Sequence, residues 1–224
     1  MTEVEQISKV YPITSNCQLL YERGKHAVLG ISPFNSFFSE KNIAILSKWA
    51  MNNFKSFNLF IPDEPYVYTL MALGYDEVKA TKKAKKQANY LRTKCLKVLI
   101  GLELSRNEAE EVILNFRYLN KNINYLSALK FYEDKYANDS EFRINCLETS
   151  KQVVETQTYI SDYRLEIAVK YLLAELPLFF NSASVLEKKE AVFCYRNCSL
   201  FIQTVFERKD CIVPNNQGYI IVDI

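Results

Sequence analysis

The chain has 224 residues, 49% of them hydrophobic, with a formal net charge of +2 and a pI near 8.1. That length and apolar content supply one substantial core, and a single domain over residues 1–224 is expected, with residues 1–24 as a polar, partly ordered leader. So small a net charge excludes a globally basic nucleic-acid-binding protein, and any basic site has to be local.

The six cysteines, Cys17, Cys95, Cys146, Cys194, Cys198 and Cys211, are irregularly spaced. They form neither a disulfide framework nor a pair of zinc knuckles. Cys194 and Cys198, read as one helical turn apart, are expected to be packing residues. Glu3, Glu5 and Pro12 interrupt the first 25 residues, so no signal-peptide pattern emerges. No stretch approaches the roughly 18 apolar residues of a membrane span. A soluble cytoplasmic protein with no metal and no membrane partner is expected.

Taken in chain order, His26 to Ile31 is a short apolar run between Gly24 and Ser32-Pro33, predicting a buried strand and a turn. Residues 40–54 read as an amphipathic helix, and Phe57 to Ile61 as a second strand stopped by Pro62-Asp63-Glu64-Pro65. Glu77 to Ile100 holds no Gly or Pro and predicts one long helix. Further helices are expected over Arg106–Leu119, 139–157, 161–175 (ending before Pro177) and 185–208, then two β-like runs, Cys211–Val213 and Tyr219–Val222. Strands alternating with helices predict an α/β fold with a mainly parallel central sheet.

Three features can carry chemistry. Ser32 stands where the first strand ends, and in open parallel sheets ligands bind at that carboxyl edge. Taken alone, a Ser before a Pro is an ordinary turn former. The sole histidine, His26, lies six residues upstream, roughly 20 Å along an extended strand, which argues against a Ser-His-Asp triad. Tyr171 and Glu175 share one helical face by their i, i+4 spacing among Leu172, Leu173, Leu176 and Leu178. A carboxylate buried there would have a raised pKa, suited to a general base, whereas an exposed pair would be ordinary helix surface. Lys79, Lys82, Lys83, Lys85, Lys86, Arg92, Lys94 and Lys97 place eight cations within nineteen residues with no intervening acid. A solvated face usually interleaves both signs, so a one-signed run points to a phosphate backbone.

In this order the features resemble the cyclodipeptide synthase family. Gly30-Ile-Ser32-Pro-Phe-Asn35 is similar to its G-x-S-x-x-N nucleophile motif, followed by the basic helix, the Tyr171-x-x-x-Glu175 segment and Tyr195. The resemblance implies a Rossmann-like domain akin to the catalytic domain of class I tyrosyl- and tryptophanyl-tRNA synthetases. It also implies no cofactor and two aminoacyl-tRNAs as substrates, joined through an aminoacyl-Ser32 intermediate into a cyclic dipeptide. By the same resemblance Tyr171 and Glu175 hold the first amino group and relay protons, Tyr195 helps position the intermediates, and Asn35 of the nucleophile motif belongs to the catalytic set. The lysines hold tRNA, and Val28, Gly30, Phe60, Leu178 and Phe193 line the first side-chain pocket, with the phenylalanines narrowing it toward small or medium apolar groups. Family members with Asn at the position of Asn35 usually carry Gln or His after the matched tyrosine, and the other branch carries Pro. Here Arg196 stands there, facing either substrate or solvent. A monomer is expected. The competing readings are a non-catalytic RNA-binding α/β protein and a small-ester hydrolase, the latter lacking a histidine base and leaving the lysines unexplained.

Overall fold

A computed structural model of the chain describes residues 7–155, 161–208 and 212–224. Its elements in order are β1 (Lys9–Pro12), α1 (Ser15–Arg23), β2 (His26–Gly30), α2 (Glu40–Asn53), β3 (Ser56–Ile61), α3 (Tyr66–Ala72), α4 (Glu77–Gly101) and α5 (Arg106–Val112). Then come β4 (Ile113–Asn115), α6 (Phe116–Leu119), α7 (Ile123–Asn138), α8 (Ser140–Glu155), α9 (Asp162–Val185), β5 (Ala191–Tyr195), α10 (Leu200–Glu207) and β6 (Gln217–Asp223).

The strands form one mixed sheet in the order β1-β6-β5-β2-β3-β4, parallel throughout except for β1. Strand β2 is buried at every position and sits between β3 and β5, which is why it reads as an unbroken apolar run rather than an alternating one. Residue parity divides the core between the two faces of the sheet. Ala27, Leu29, Leu59, Ile61, Val192, Cys194 and Ile220 pack with residues of α2 and α4. Val28, Phe60, Phe193 and Tyr219 pack with residues of α7, α8, α9 and α10. The chain moves outward from β2 through β3 to β4, and in the other direction β5 pairs with β2 and β6 with β5. The order therefore reverses between β2 and β5, and the crevice beyond the carboxyl ends of those two strands is the topological switch point.

Helix α4 begins at an Asp76 cap, whose carboxylate accepts from the Lys79 amide. Its buried stripe is Ala80, Ala84, Ala88, Leu91, Cys95, Val98 and Leu99, which leaves the lysines on the outer side. Among the described residues, no helix is long and apolar enough to cross a membrane.

The structure departs from the sequence reading in several places. Residues 9–23 belong to the fold, since β1 pairs antiparallel with β6 and α1 packs on β6, so little of the expected leader remains among the described residues. The helix expected over Arg106–Leu119 is broken by β4, because Ile113, Leu114 and Asn115 pair with Leu59, Phe60 and Ile61 of β3. Pairing to a sheet edge overrides local helix propensity. Helix α7 was not anticipated, and α8 accounts for the helix expected over 139–157 up to Glu155, the remainder lying outside the described residues. The expected helix over 185–208 is replaced by the end of α9, a turn, β5 and α10, with Cys194 on a strand and Cys198 in the connection after it. A short apolar run such as Ala191–Cys194 has no periodicity that separates strand from helix. In the tail β6 contains Tyr219–Val222 as expected, whereas Ile212 and Val213 form no strand and Cys211 lies outside the described residues.

Pro177 does not end α9, which runs on to Val185. Leu172, Leu173, Ala174, Leu176, Leu178, Phe179 and Phe180 are all buried, and that burial outweighs the roughly 3 kcal/mol cost of an internal proline. The helix departs from regular geometry at Asn181, with φ −151° and ψ 26°. Beside the kink the buried side chain of Gln217 bridges the Phe179 carbonyl and the Ala183 amide. Its Nε2 donates to Phe179 O at 3.3 Å, and its Oε1 accepts from Ala183 N at 3.1 Å and from Ser182 Oγ at 2.8 Å. An inserted amide of this kind satisfies the backbone groups that a kink would otherwise orphan.

Candidate active site

Ser32 follows β2 by two residues, and Tyr195 is the last residue of β5. Because the two strands are hydrogen-bonded neighbours, their ends bring the side chains together, with Ser32 Oγ 2.8 Å from Tyr195 Oη. Gly30 makes this approach possible. A Cβ at residue 30 would lie 3.0 Å from Phe193 Cζ and 3.0 Å from Tyr195 Cδ2, so a larger residue would push Tyr195 off Ser32. Asn35 shapes the turn after the serine, its Oδ1 accepting from Phe37 N at 3.0 Å.

Across the crevice α9 contributes Tyr171, whose hydroxyl donates to Glu175 Oε1 at 3.0 Å. The pair lines the same cavity of about 450 Å³ as Gly30, Ser32, Asn35, Phe60, Phe193 and Tyr195. Burial in these apolar surroundings pushes Glu175 up to about 8, although the Tyr171 hydrogen bond acts in the opposite direction. Burial and the neighbouring Glu175 charge hold the Tyr171 phenol well above its ordinary value. Tyr195 is also raised, chiefly by burial, while its hydrogen bonds to Ser32 and Asn35 favour the phenolate. The site therefore gathers a serine hydroxyl, two tyrosine hydroxyls and a carboxyl poised near neutral pH, all partly buried around one cavity. Such groups can accept, hold and return a proton around one acyl carbon.

Two residues expected in the pocket do not line it. Val28 and Leu178 are fully buried in the core behind the cavity. Val28 lies two residues below Gly30 on the same face of β2, one layer deeper. Phe179 forms the wall instead of Leu178, since 171, 175 and 179 share one face at i, i+4 spacing. Several lining residues went unanticipated, among them Phe34, Tyr66, Thr69, Ser150, Phe179 and Tyr219. Nothing local in the sequence marked Tyr66 or Thr69 as site residues.

His26 does not serve this site. Its Nδ1 is 2.8 Å from Ser56 Oγ at the start of the strand, and burial lowers its pKa to about 4, so the ring is neutral. Arg196 is exposed, its guanidinium 4.4 Å from the Phe37 ring centroid.

The basic run of α4 divides into two groups. Arg92 pairs with Glu110, Lys97 with Glu40, Lys79 with Asp76, and Lys94 Nζ donates to Phe38 O. Lys82, Lys85 and Lys86 are exposed and carry no charged partner among the described residues, and Lys83 Nζ donates to Tyr75 Oη at 2.9 Å.

A doubly wound sheet with a serine hydroxyl at its switch point and a partly buried carboxyl opposite is a frame that can support chemistry at one acyl centre. The cyclodipeptide synthase family profile matches residues 8–223. A cyclo(L-leucyl-L-leucyl) synthase of Staphylococcus haemolyticus is 32% identical over 222 residues, covering 96% of this chain and 94% of that protein. The solved structure from that organism superposes with a TM-score of 0.89 at 31% identity, over 96% of this chain and 98% of the other. A Mycobacterium tuberculosis structure, reported as relating cyclodipeptide synthetases to type I tRNA synthetases, matches with a TM-score of 0.86 at 22% identity, over 100% of this chain and 98% of the other. A cyclodipeptide synthase from Candidatus Glomeribacter gigasporarum, bound to Phe-tRNAPhe, matches with a TM-score of 0.55 at 15% identity, over 89% and 88%. The chain belongs to the cyclodipeptide synthase family and, with it, to the aminoacyltransferases. That membership sets aside the non-catalytic and hydrolase readings.

Proposed function

We propose that the chain joins the aminoacyl groups of two aminoacyl-tRNAs into a cyclic dipeptide by a ping-pong route through Ser32. The observation that carries this reading is the 2.8 Å contact of Ser32 Oγ with Tyr195 Oη in the cavity that also holds Tyr171 and Glu175. Ser32 Oγ attacks the ester carbonyl of the first aminoacyl-tRNA. The bond to the tRNA ribose oxygen breaks, the serine proton passes by way of the Tyr195 hydroxyl to that oxygen, and the tRNA departs. The amine of the aminoacyl-Ser32 ester then attacks the carbonyl of the second aminoacyl-tRNA, forming a peptide bond and releasing the second tRNA. The new terminal amine attacks the Ser32 ester, closing the six-membered ring and returning the proton to Ser32. Tyr171 and Glu175 hold the first amino group; Glu175 takes up one proton from its ammonium form before the attack on the second ester, and the second N–H proton goes to the departing ribose oxygen.

The exposed cations of α4 hold the phosphate backbone, a role supported by the tRNA bound to the Glomeribacter relative. Phe60, Phe179, Phe193 and Leu172 make the cavity apolar, and the name of the Staphylococcus relative agrees with medium apolar substrates such as leucine. The enzyme works as a single-domain monomer in the cytoplasm, where charged tRNA is found. Expression in a bacterial host followed by mass spectrometry of the medium tests the reading. A cyclic dipeptide made by the natural sequence and lost at least a hundredfold in Ser32→Ala is expected. Substantial product from a folded Ser32→Ala variant would remove Ser32 as nucleophile.

A further inference from the structure

Phe34 is held in an unfavourable state for a phenylalanine. Its φ of 57° lies in the left-handed region, which non-glycine residues adopt at a cost. The other described non-glycine residues with positive φ, Glu103 and Glu187, directly follow the C-caps of α4 and α9. A left-handed residue there is an ordinary helix terminator. Phe34 ends no helix. The residue is also 43% exposed, lining the cavity two residues from Ser32.

The ring belongs to a ladder. Phe34 stacks on Tyr66 with centroids 4.9 Å apart and planes at 23°, and Tyr66 meets Tyr171 edge-on at 5.8 Å. Tyr171 in turn donates to Glu175. On the outer side Lys83 Nζ lies 5.8 Å from the Phe34 centroid and 4.6 Å from that of Tyr75. Aromatic surface therefore runs from the basic face of α4 to the catalytic pair, and Phe34 at its outer end is partly exposed on a strained backbone. Backbone strain persisting at a ligand entrance is a pointer to function.

We propose that Phe34 is a stacking platform for the terminal nucleobase of the tRNA acceptor end, with Lys83 beside the phosphate of that nucleotide. This rests on the reading of Ser32 as the acceptor of the aminoacyl group. When the ester carbonyl is at Ser32 the amino-acid side chain lies inward, among Phe60, Phe179 and Phe193, and the terminal ribose and its base remain at the mouth. A flat aromatic ring there holds any purine or pyrimidine without reading its edge, and every tRNA ends in the same adenosine. Lys83 supplies the charge-assisted contact that a backbone phosphate next to the base requires.

The test compares binding of deacylated tRNA, intact and lacking its terminal adenosine, to the natural sequence, Phe34→Leu and Phe34→Trp. Base-on-aromatic stacking of about 1–3 kcal/mol corresponds to a roughly 5- to 150-fold preference for intact tRNA. That preference is expected in the natural sequence and in Phe34→Trp and is expected to vanish in Phe34→Leu. A natural enzyme that binds both tRNAs equally overturns the platform without reference to any variant, and so does an undiminished preference in Phe34→Leu. The mass of the natural enzyme after exposure to aminoacyl-tRNA separates the two proposals. An aminoacyl adduct with no adenosine preference refutes the platform alone, whereas an adenosine preference with no adduct refutes the Ser32 reading and leaves the platform standing.

Discussion

Glu175 is the carboxyl that the proposed mechanism uses as its base, and the fold shifts its ionisation. Its ordinary value of 4.5 rises to about 8 because burial disfavours the charged form. The folded state therefore holds its proton more tightly than the unfolded state does. The fold is most stable below about 4.5 in respect of this group and loses stability as pH rises toward 8. Replacing the carboxyl with an amide removes that dependence. In urea titrations Glu175→Gln is expected to gain on the natural sequence between pH 4.5 and pH 7, by up to about 3 kcal/mol, while losing synthase activity. Parallel stability curves would mean that the carboxyl titrates normally. Tyr171 and Glu175 were legible in the sequence because i, i+4 spacing is local and the leucines around them announce burial. The place of Ser32 at a strand end was legible in the sequence, whereas its expected role came from the family resemblance, since a Ser before a Pro is by itself an ordinary turn former. Phe34, Tyr66 and Phe179 were not legible, because their places in the cavity depend on how α3 and α9 pack over the sheet edge. Val28 and Leu178 were assigned by sequence offset, which cannot distinguish a wall residue from one a layer behind it.

Among the elements, α9 shows how a long-range contact rewrites a local signal. Pro177 reads as a stop, yet the helix continues and Gln217, on β6, repairs its kink. Nothing within ten residues of Pro177 encodes that repair. Gln217→Leu leaves a buried carbonyl and a buried amide without partners, and a loss of about 2–4 kcal/mol in unfolding free energy is expected by denaturant titration. A loss below about 0.5 kcal/mol would show that the kink is satisfied without the side chain. The misread elements, β4 and β5, share a cause. Both are short apolar segments whose strand state is set by neighbours far away in sequence, β3 for the first and β2 with β6 for the second. Helices with a long one-sided pattern, α2 and α4, matched their expected bounds to within a residue.

At the scale of the molecule, the order of the strands explains why residues 32 and 195 meet. The order of the strands reverses between the parallel neighbours β2 and β5, so the ends of two strands distant in sequence open onto one crevice. Helix α9 lines that crevice with Tyr171 and Glu175, and Lys83 of α4 reaches the ring of Phe34, which lines it too. The α/β class and mainly parallel sheet followed from alternating elements, whereas the edge strand β1 and the reversal itself required long-range pairing that no local pattern carries. The central claim is that Ser32 becomes an ester during turnover. Intact-protein mass spectrometry after rapid acid quenching of the enzyme with one aminoacyl-tRNA tests it most directly. The account predicts a mass increase of one aminoacyl residue, mapped to the Ser32 peptide and absent in Ser32→Ala. Cyclic dipeptide formation with no adduct at Ser32 at any quench time, or an adduct that persists in Ser32→Ala, would contradict it.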